Sequence, residues 1–377
     1  MLTEIGEHKV LGIVTDNGSA ELKARKIISE ETGIIHYGCI AHCLNLLIGD
    51  IMKIPSLKNL EAHCKQIVKE TSVSHILLAT FNKFQLEINS SKVVALKLPV
   101  VTRWGSILSC LTSLRNTRYA LKCLAISEEN ANKLSPTGKK NCLDDDIFWK
   151  KVGKSMTVLS PIVKWITELE GDDQKISDVM EAFWELEKVF ETQILELPVT
   201  KKEEDQIHSF LKARKEYVVC GLHYAANILN PQKLGKTLMR LNIPKVRLNK
   251  NNLVPDTKFL ILFILGINFI NTLAANHAIF KENEDNVMIE LAQYIGKTKM
   301  FASWWQGYCS KSALKEVAVA ILSLPPSSAA TERTFSKYSF IHTKKRNRLT
   351  TKRAGMLTYV ACNLHLTSKI EKKHRKE

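Results

Sequence analysis

The sequence is short of the features that would place it outside the cell or within a membrane. Its nine cysteines are an odd number with no framework spacing, and the opening residues do not read as a secretory leader. Reduced thiols in an intracellular protein are therefore expected. Long apolar runs are missing too. Phe259 to Ala275 is the most apolar stretch, but Asn268 and Asn271 interrupt it, which favours a buried helix over a membrane span. Internal repeats and long low-complexity linkers are absent. Acidic residues are scarce beside basic ones, 38 against 54, leaving a net charge of +16. Such a surplus calls for a polyanionic partner. Nucleic acid is favoured over a membrane surface because no basic amphipathic segment stands out.

What is present suits a large globular chain. A length of 377 residues can bury a substantial core, as one large domain or two intertwined ones. Val10 to Thr15 is a short apolar, β-branched run, suited to a strand buried on both faces. It ends in Asp16-Asn17-Gly18-Ser19, a turn with a helix N-cap expected at Ser19. Ala20 to Thr32 reads as a helix stopped by Gly33, Ile34 to Tyr37 as a second strand, and Ala41 to Ile51 as a second helix. Alternation at these lengths predicts parallel strands with a crossover helix. Asp16 then stands at the carboxyl end of a buried strand, where open α/β sheets gather ligand chemistry. An Asp serving only the turn is the plainer alternative.

A second informative stretch lies near the end of the chain. Pro325 and Pro326 close one helix, and the small residues Ser327 to Ala330 open another. Glu332 falls in its first turn, with Phe335 and Ser336 three and four positions on along the same face. A carboxylate so placed can reach into a packed site; a surface Glu paired with Arg333 or Lys337 is the plainer reading. From Thr343 onward there are eleven Lys or Arg against two Glu. Lys344, Lys345, Arg346 and Arg348 suit phosphate contact, while Lys369 to Glu377 reads as a frayed basic tail. Met356, Leu357, Val360 and Leu364 recur at helical spacing, suited to burial against the core or a second copy.

Three further groups invite chemistry. Cys39-Ile-Ala-His42 offers two ligands where structural zinc takes four, so zinc is not expected in this chain. Arg103-Trp104 pairs a phosphate-binding guanidinium with a ring able to stack on an unpaired base, although a Trp at a helix start is more often core. Asp144-Asp145-Asp146 reads as a solvated cap before a helix rather than a metal cluster.

Taken together, Thr15-Asp-Asn-Gly-Ser19, Gly38-Cys-Ile-Ala-His-Cys43, Thr102-Arg-Trp104, Leu222-His-Tyr-Ala-Ala-Asn-Ile-Leu-Asn-Pro231, Ser327-Ser-Ala-Ala-Thr-Glu-Arg-Thr-Phe-Ser336, Lys345-Arg-Asn-Arg-Leu349 and Asn363-Leu-His-Leu366 resemble segments of the hAT-family transposases. The resemblance runs from about Val10 to Leu366 and is weakest between Arg118 and Val219. It implies an α/β fold, with an RNase H-like parallel or mixed sheet interrupted by a large, mostly helical insertion. A helical C-terminal dimerisation region is implied to complete that core.

On this reading residues 1–106 hold the first half of the core, 107–300 the insertion, 301–366 the dimerisation region and 367–377 a basic tail. Asp16 and Glu332 take the places of the second and last acidic residues of a DDE site that binds Mg²⁺. Cys39 and His42 form the motif beside it, with His42 structural or close to DNA. Arg103, Trp104, Arg333, Lys344, Lys345, Arg346 and Arg348 are implied to face DNA. Phe335, Met356, Leu357, Val360 and Leu364 are implied to pack the dimer.

The family's opening segment, a zinc finger and three antiparallel strands carrying the first catalytic Asp, has no counterpart before Asp16, where the only acidic residues are Glu4 and Glu7. The chain as written is thus expected to be N-terminally truncated. The expected function is that of a transposon-derived nuclear protein that pairs as a homodimer or higher oligomer and binds double-stranded DNA without cutting it. The alternative is the C-terminal portion of an active Mg²⁺-dependent transposase.

Overall fold

The computed structural model describes residues 10–89, 92–100, 105–128, 133–171, 174–194, 197, 199–233, 257–276, 286–287, 290–291, 313–343 and 348–374. The chain enters through β1 (Gly12–Thr15), passes along helix α1 (Ser19–Thr32) and returns as β2 (Ile35–Gly38). The strands pair in parallel, with Gly12 opposite Ile35 and Thr15 opposite Gly38. A parallel pair needs a crossover, and α1 supplies it. Gly33 ends α1 in the left-handed region at φ 72° and sends its N–H to the Ser29 carbonyl, a conformation that costs a side-chain-bearing residue more.

Two expectations need correction here. Ser19 does not cap α1: the cap position is Gly18, no side chain bonds there, and Ser19 is the first helical residue. Nor is β1 buried on both faces. All four of its residues are half-buried, because among the described residues the sheet has only two strands.

After β2 the described chain is helical. The helices are α2 (Ile40–Met52), α3 (Pro55–Val73), α4 (His75–Asn89), α5 (Ser106–Asn116), α6 (Arg118–Ile126) and α7 (Pro136–Leu143). A single π-helical turn, Asp145–Trp149, leads into α8 (Lys150–Glu170). Then come α9 (Val179–Gln193), α10 (Lys201–Val218), α11 (Gly221–Leu229), α12 (Thr257–Asn276), α13 (Ala313–Leu322), α14 (Ala329–Ile341) and α15 (Thr351–His374). The α/β expectation therefore holds for the opening unit, while the described remainder is a helical assembly. Residues 92–100, between α4 and α5, have no regular secondary structure. Among the described residues no single helix is long and apolar enough to cross a membrane.

The main core is built around α2, which buries Ile40, Ala41, Cys43, Leu44, Leu47, Ile48 and Ile51. A helix apolar on nearly every side must be surrounded; α8 and α10 pack along it. A second cluster joins α11, α12 and α13 with Tyr37 of β2, and Val14 of β1 touches both clusters. Polar contacts fix the helix ends. The buried Glu203 carboxylate closes a capping box with Thr200 and also accepts the Ser56 N–H at 3.0 Å and hydroxyl at 2.8 Å. That joins the start of α10 to the start of α3. Asp50 of α2 accepts from Nε of Arg214 on α10 at 2.8 Å.

The described C-terminal helix continues through His374, so the fraying expected from Lys369 does not begin there. Helicity persists into the basic run because no glycine or proline follows Gly355.

Candidate functional site

Residues from both ends of the chain meet at the carboxyl end of β1. The Tyr37 hydroxyl donates to the Pro325 carbonyl at 2.9 Å, and the Ile40 N–H to the Pro326 carbonyl at 3.1 Å. These bonds seat the Pro-Pro segment on the end of β2. Ser327, buried, donates to the Leu169 carbonyl at 2.7 Å and so fixes the same segment to the end of α8. The start of α14 is thereby held over Asp16.

The two sequence-predicted carboxylates come together there through one hydroxyl. Ser328 Oγ lies 3.0 Å from Asp16 Oδ1 and 3.2 Å from Glu332 Oε1. A serine hydroxyl has a single proton, so it donates to one carboxylate at a time. The place also lies at the amino end of α14, where the helix dipole favours negative charge.

Asp16 is held from behind. Arg25 of α1 is buried, and its Nη1 donates to the Asp16 carbonyl at 2.8 Å and to the Thr15 hydroxyl at 2.7 Å. Asn17 sends its amide Nδ2 to the Cys39 carbonyl at 2.7 Å and its backbone N–H to His42 Nδ1 at 3.2 Å. With Nδ1 accepting that proton, the neutral ring carries its own on Nε2, and the 3.7 Å approach of Nδ1 to Asp16 Oδ1 is a contact rather than an ion pair. Gly38 permits the close packing: a Cβ there would meet Asn17 Oδ1 at 2.0 Å and Arg25 Nη2 at 3.2 Å.

Cys39 ties the two helix starts. Its sulfur accepts the His42 N–H, in the first turn of α2, and the Ser328 N–H, at the start of α14, each at 3.4 Å. Burial above all pushes its thiol up, and burial pushes Cys43 up to about 12, so both are neutral thiols near pH 7. Sequence reasoning found the Cys39–His42 pair as a motif; the geometry makes it a clamp between α2 and α14.

Several participants were not found from sequence. Arg25 reads as a solvent-facing helix residue, and Ser328 as a small residue opening a helix. Glu170, last in α8, faces the site as well: burial first, then the charge of Glu332, push its carboxyl above the usual range, with Arg333 opposing. Arg333 donates to the Glu170 carbonyl, closing α14 onto α8. That backbone bond is a local use for a residue expected to face DNA. Arg348 is exposed. Arg103, Trp104, Lys344, Lys345 and Arg346 lie outside the described residues. In the run from Asp144, the Asp144 carboxylate does cap the π turn, accepting the Ile147 N–H at 2.8 Å.

A separate surface lies on α14 and α15, which pack against each other. Phe335, Met356, Leu357, Val360 and Leu364 are all exposed, joined by Phe340 and Tyr359. Between the helices lies a groove of about 520 Å³ lined by Phe335, Tyr338, Thr358, Tyr359 and Cys362.

Two family models match the chain: the ZBED1 RNase-like helical domain over residues 37–144, and the hAT family C-terminal dimerisation region over 290–364. Over these two regions the chain is hAT-transposase-like. No curated protein matches it. The second match contains Ser328, Glu332 and the exposed face of α14 and α15, so the hAT-like chain carries a region for pairing with a second copy. The first begins at Tyr37 and includes Cys39 and His42, whereas Asp16 lies outside both.

Proposed function

We propose that the hAT-like chain works as a dimer on double-stranded DNA in the nucleus. The α14–α15 face would join two copies and the basic surface would bind phosphate. The observation that carries the dimer is the row of exposed apolar side chains within the matched dimerisation region. A monomer has no use for so many large apolar groups on one helix pair. The net charge of +16 supports a polyanionic ligand.

On this reading the site at Asp16 organises the fold around the DNA-binding body and does not cut. Of the three acidic positions the resemblance implies, the described residues supply Asp16 and Glu332, engaged by the Ser328 hydroxyl.

A second reading, the metal-dependent transposase, is favoured by one fact: carboxylates from opposite ends of the chain meet within reach of a single hydroxyl. Their oxygens are of the hard kind that suits Mg²⁺, which takes one or two carboxylates beside phosphate and water. Asp16 and Glu332 would hold the ion, which when bound would polarise a phosphate oxygen.

One preparation tests both. At low micromolar concentration the chain should scatter light as a dimer, and Phe335→Asp with Met356→Asp should reduce it to a monomer. A mass unmoved by those changes would overturn the dimer face. Incubated with Mg²⁺, labelled duplex should stay whole; cleavage lost in Glu332→Gln would establish the second reading instead.

A further inference from the structure

The geometry points to a phosphate-binding cleft on the helical body, far along the chain from the basic C-terminal segment, and we propose that it takes the backbone of a nucleic acid. The inference rests on the reading that the chain binds DNA, and it names a place on that surface. The cleft, of about 610 Å³, is formed by the end of α5, the start of α6, the π turn and the first turns of α8. Arg115, Arg118, Lys150 and Lys154 line it, with two carboxylates, Asp145 and Asp146.

The carboxylates are already engaged. Lys122 holds Asp145, and Lys150 holds Asp146 at 3.2 Å. Arg115 and Arg118 thus leave a local surplus of positive charge.

The guanidiniums are placed for a ligand. Arg115 lies across α8 at Gly153, where an added Cβ would come within 3.7 Å of its Nη1. It has no ion-pair partner among the described residues. Arg118 stacks over the Tyr119 ring at 4.6 Å and donates Nη2 to the Tyr119 hydroxyl at 2.8 Å, while its Nε is buried without an acceptor. A guanidinium is a strong planar donor for an oxyanion entering the cleft.

The floor is rigid. Trp149 is buried and its indole N–H donates to the Cys142 carbonyl at 2.9 Å. It therefore offers no face for stacking, and recognition falls to charge and planar N–H donors, the chemistry of a phosphate backbone. Single π turns within helices often mark functional positions, and this one sets the cleft wall. A repeating polyanion is favoured over an acidic peptide because the chain's overall charge of +16 holds one near the surface around the cleft.

Fluorescence anisotropy with a labelled duplex tests this, using the full chain and two charge reversals of equal size. Arg115→Glu lies in the cleft; Lys212→Glu lies on the exposed face of α10. Circular dichroism should show both folded, since both residues are surface groups. Arg115→Glu should weaken binding about tenfold and lower the salt dependence by about one phosphate, with Lys212→Glu close to the unaltered chain. Equal loss in both, or none in Arg115→Glu, would overturn the cleft while leaving DNA binding itself standing. No binding by the unaltered chain would overturn both. Displacement of the duplex by polyglutamate as readily as by unlabelled DNA, dependent on Arg115, would replace the nucleic acid with an acidic peptide.

Discussion

A few side chains near Asp16 do more than one task each, and Gly38 shows how little room they leave. A methyl group there would press on Asn17 Oδ1, yet Asn17 is held by its bond to the Cys39 carbonyl and cannot swing away without losing it. Gly38→Ala should cost about 1–3 kcal/mol in urea unfolding, the usual range for overpacking. The cost should shrink in an Asn17→Ala background, because the two changes share one contact. An undiminished cost would show that the methyl group strikes something else. At this scale the sequence was partly legible. Asp16 and Glu332 stood out because turn chemistry and a helix start frame them. Arg25, Ser328 and Glu170 did not, since an arginine, a serine and a glutamate on helices read as solvent-facing until distant elements close over them.

Among the elements, the ones best foretold were those whose ends carry their own signals. The β1–α1–β2–α2 order follows from an apolar run, a turn, a terminal glycine and a second apolar run. The limits of α1 were right at Gly33, where only backbone freedom matters, and wrong at Ser19, where the capping side chain had no partner to find. The two-strand sheet was not foreseeable from β1 alone, because a short apolar run looks the same with one neighbour as with two. Element junctions also set stability. Burial works against the charged Glu203, but bonds from the Thr200 and Ser56 amides and hydroxyls outweigh it and hold the carboxyl below its usual range. Glu203→Gln replaces an oxygen with an amide that faces donors, and should cost about 2 kcal/mol. The stability it supplies is present above the unfolded carboxyl pKa and lost as pH falls through the lower folded one. An unchanged urea midpoint for Glu203→Gln at pH 7 would remove the α3–α10 clamp from the account.

For the whole molecule, His223 gives stability a dependence on pH. It is fully buried in the first turn of α11, its Nδ1 accepts the Cys220 N–H at 3.1 Å, and Tyr37 packs edge-on to its ring. Burial brings its pKa down to about 4, against the backbone bond to Cys220. The folded value lies below the unfolded one of roughly 6.5, so the contribution is complete above that value. It fades as the pH falls from there toward about 4. Between pH 7.5 and 5 the loss should be about 2 kcal/mol in urea unfolding, and His223→Gln should flatten that part of the curve. A slope unaffected by the substitution would assign the acid sensitivity elsewhere.

The meeting of Asp16 and Ser328 also sets a timetable. They stand 312 residues apart, and a ribosome adding about 5–20 residues per second separates their synthesis by roughly 15–60 s. For that interval the nascent chain exposes the Tyr37 hydroxyl, the Cys39 sulfur and the apolar end of β2 without their covers. A message stopped before the codons for Pro325 to Ser328 would leave them uncovered for good, and its product would be a substrate for chaperones and proteases rather than a smaller working protein.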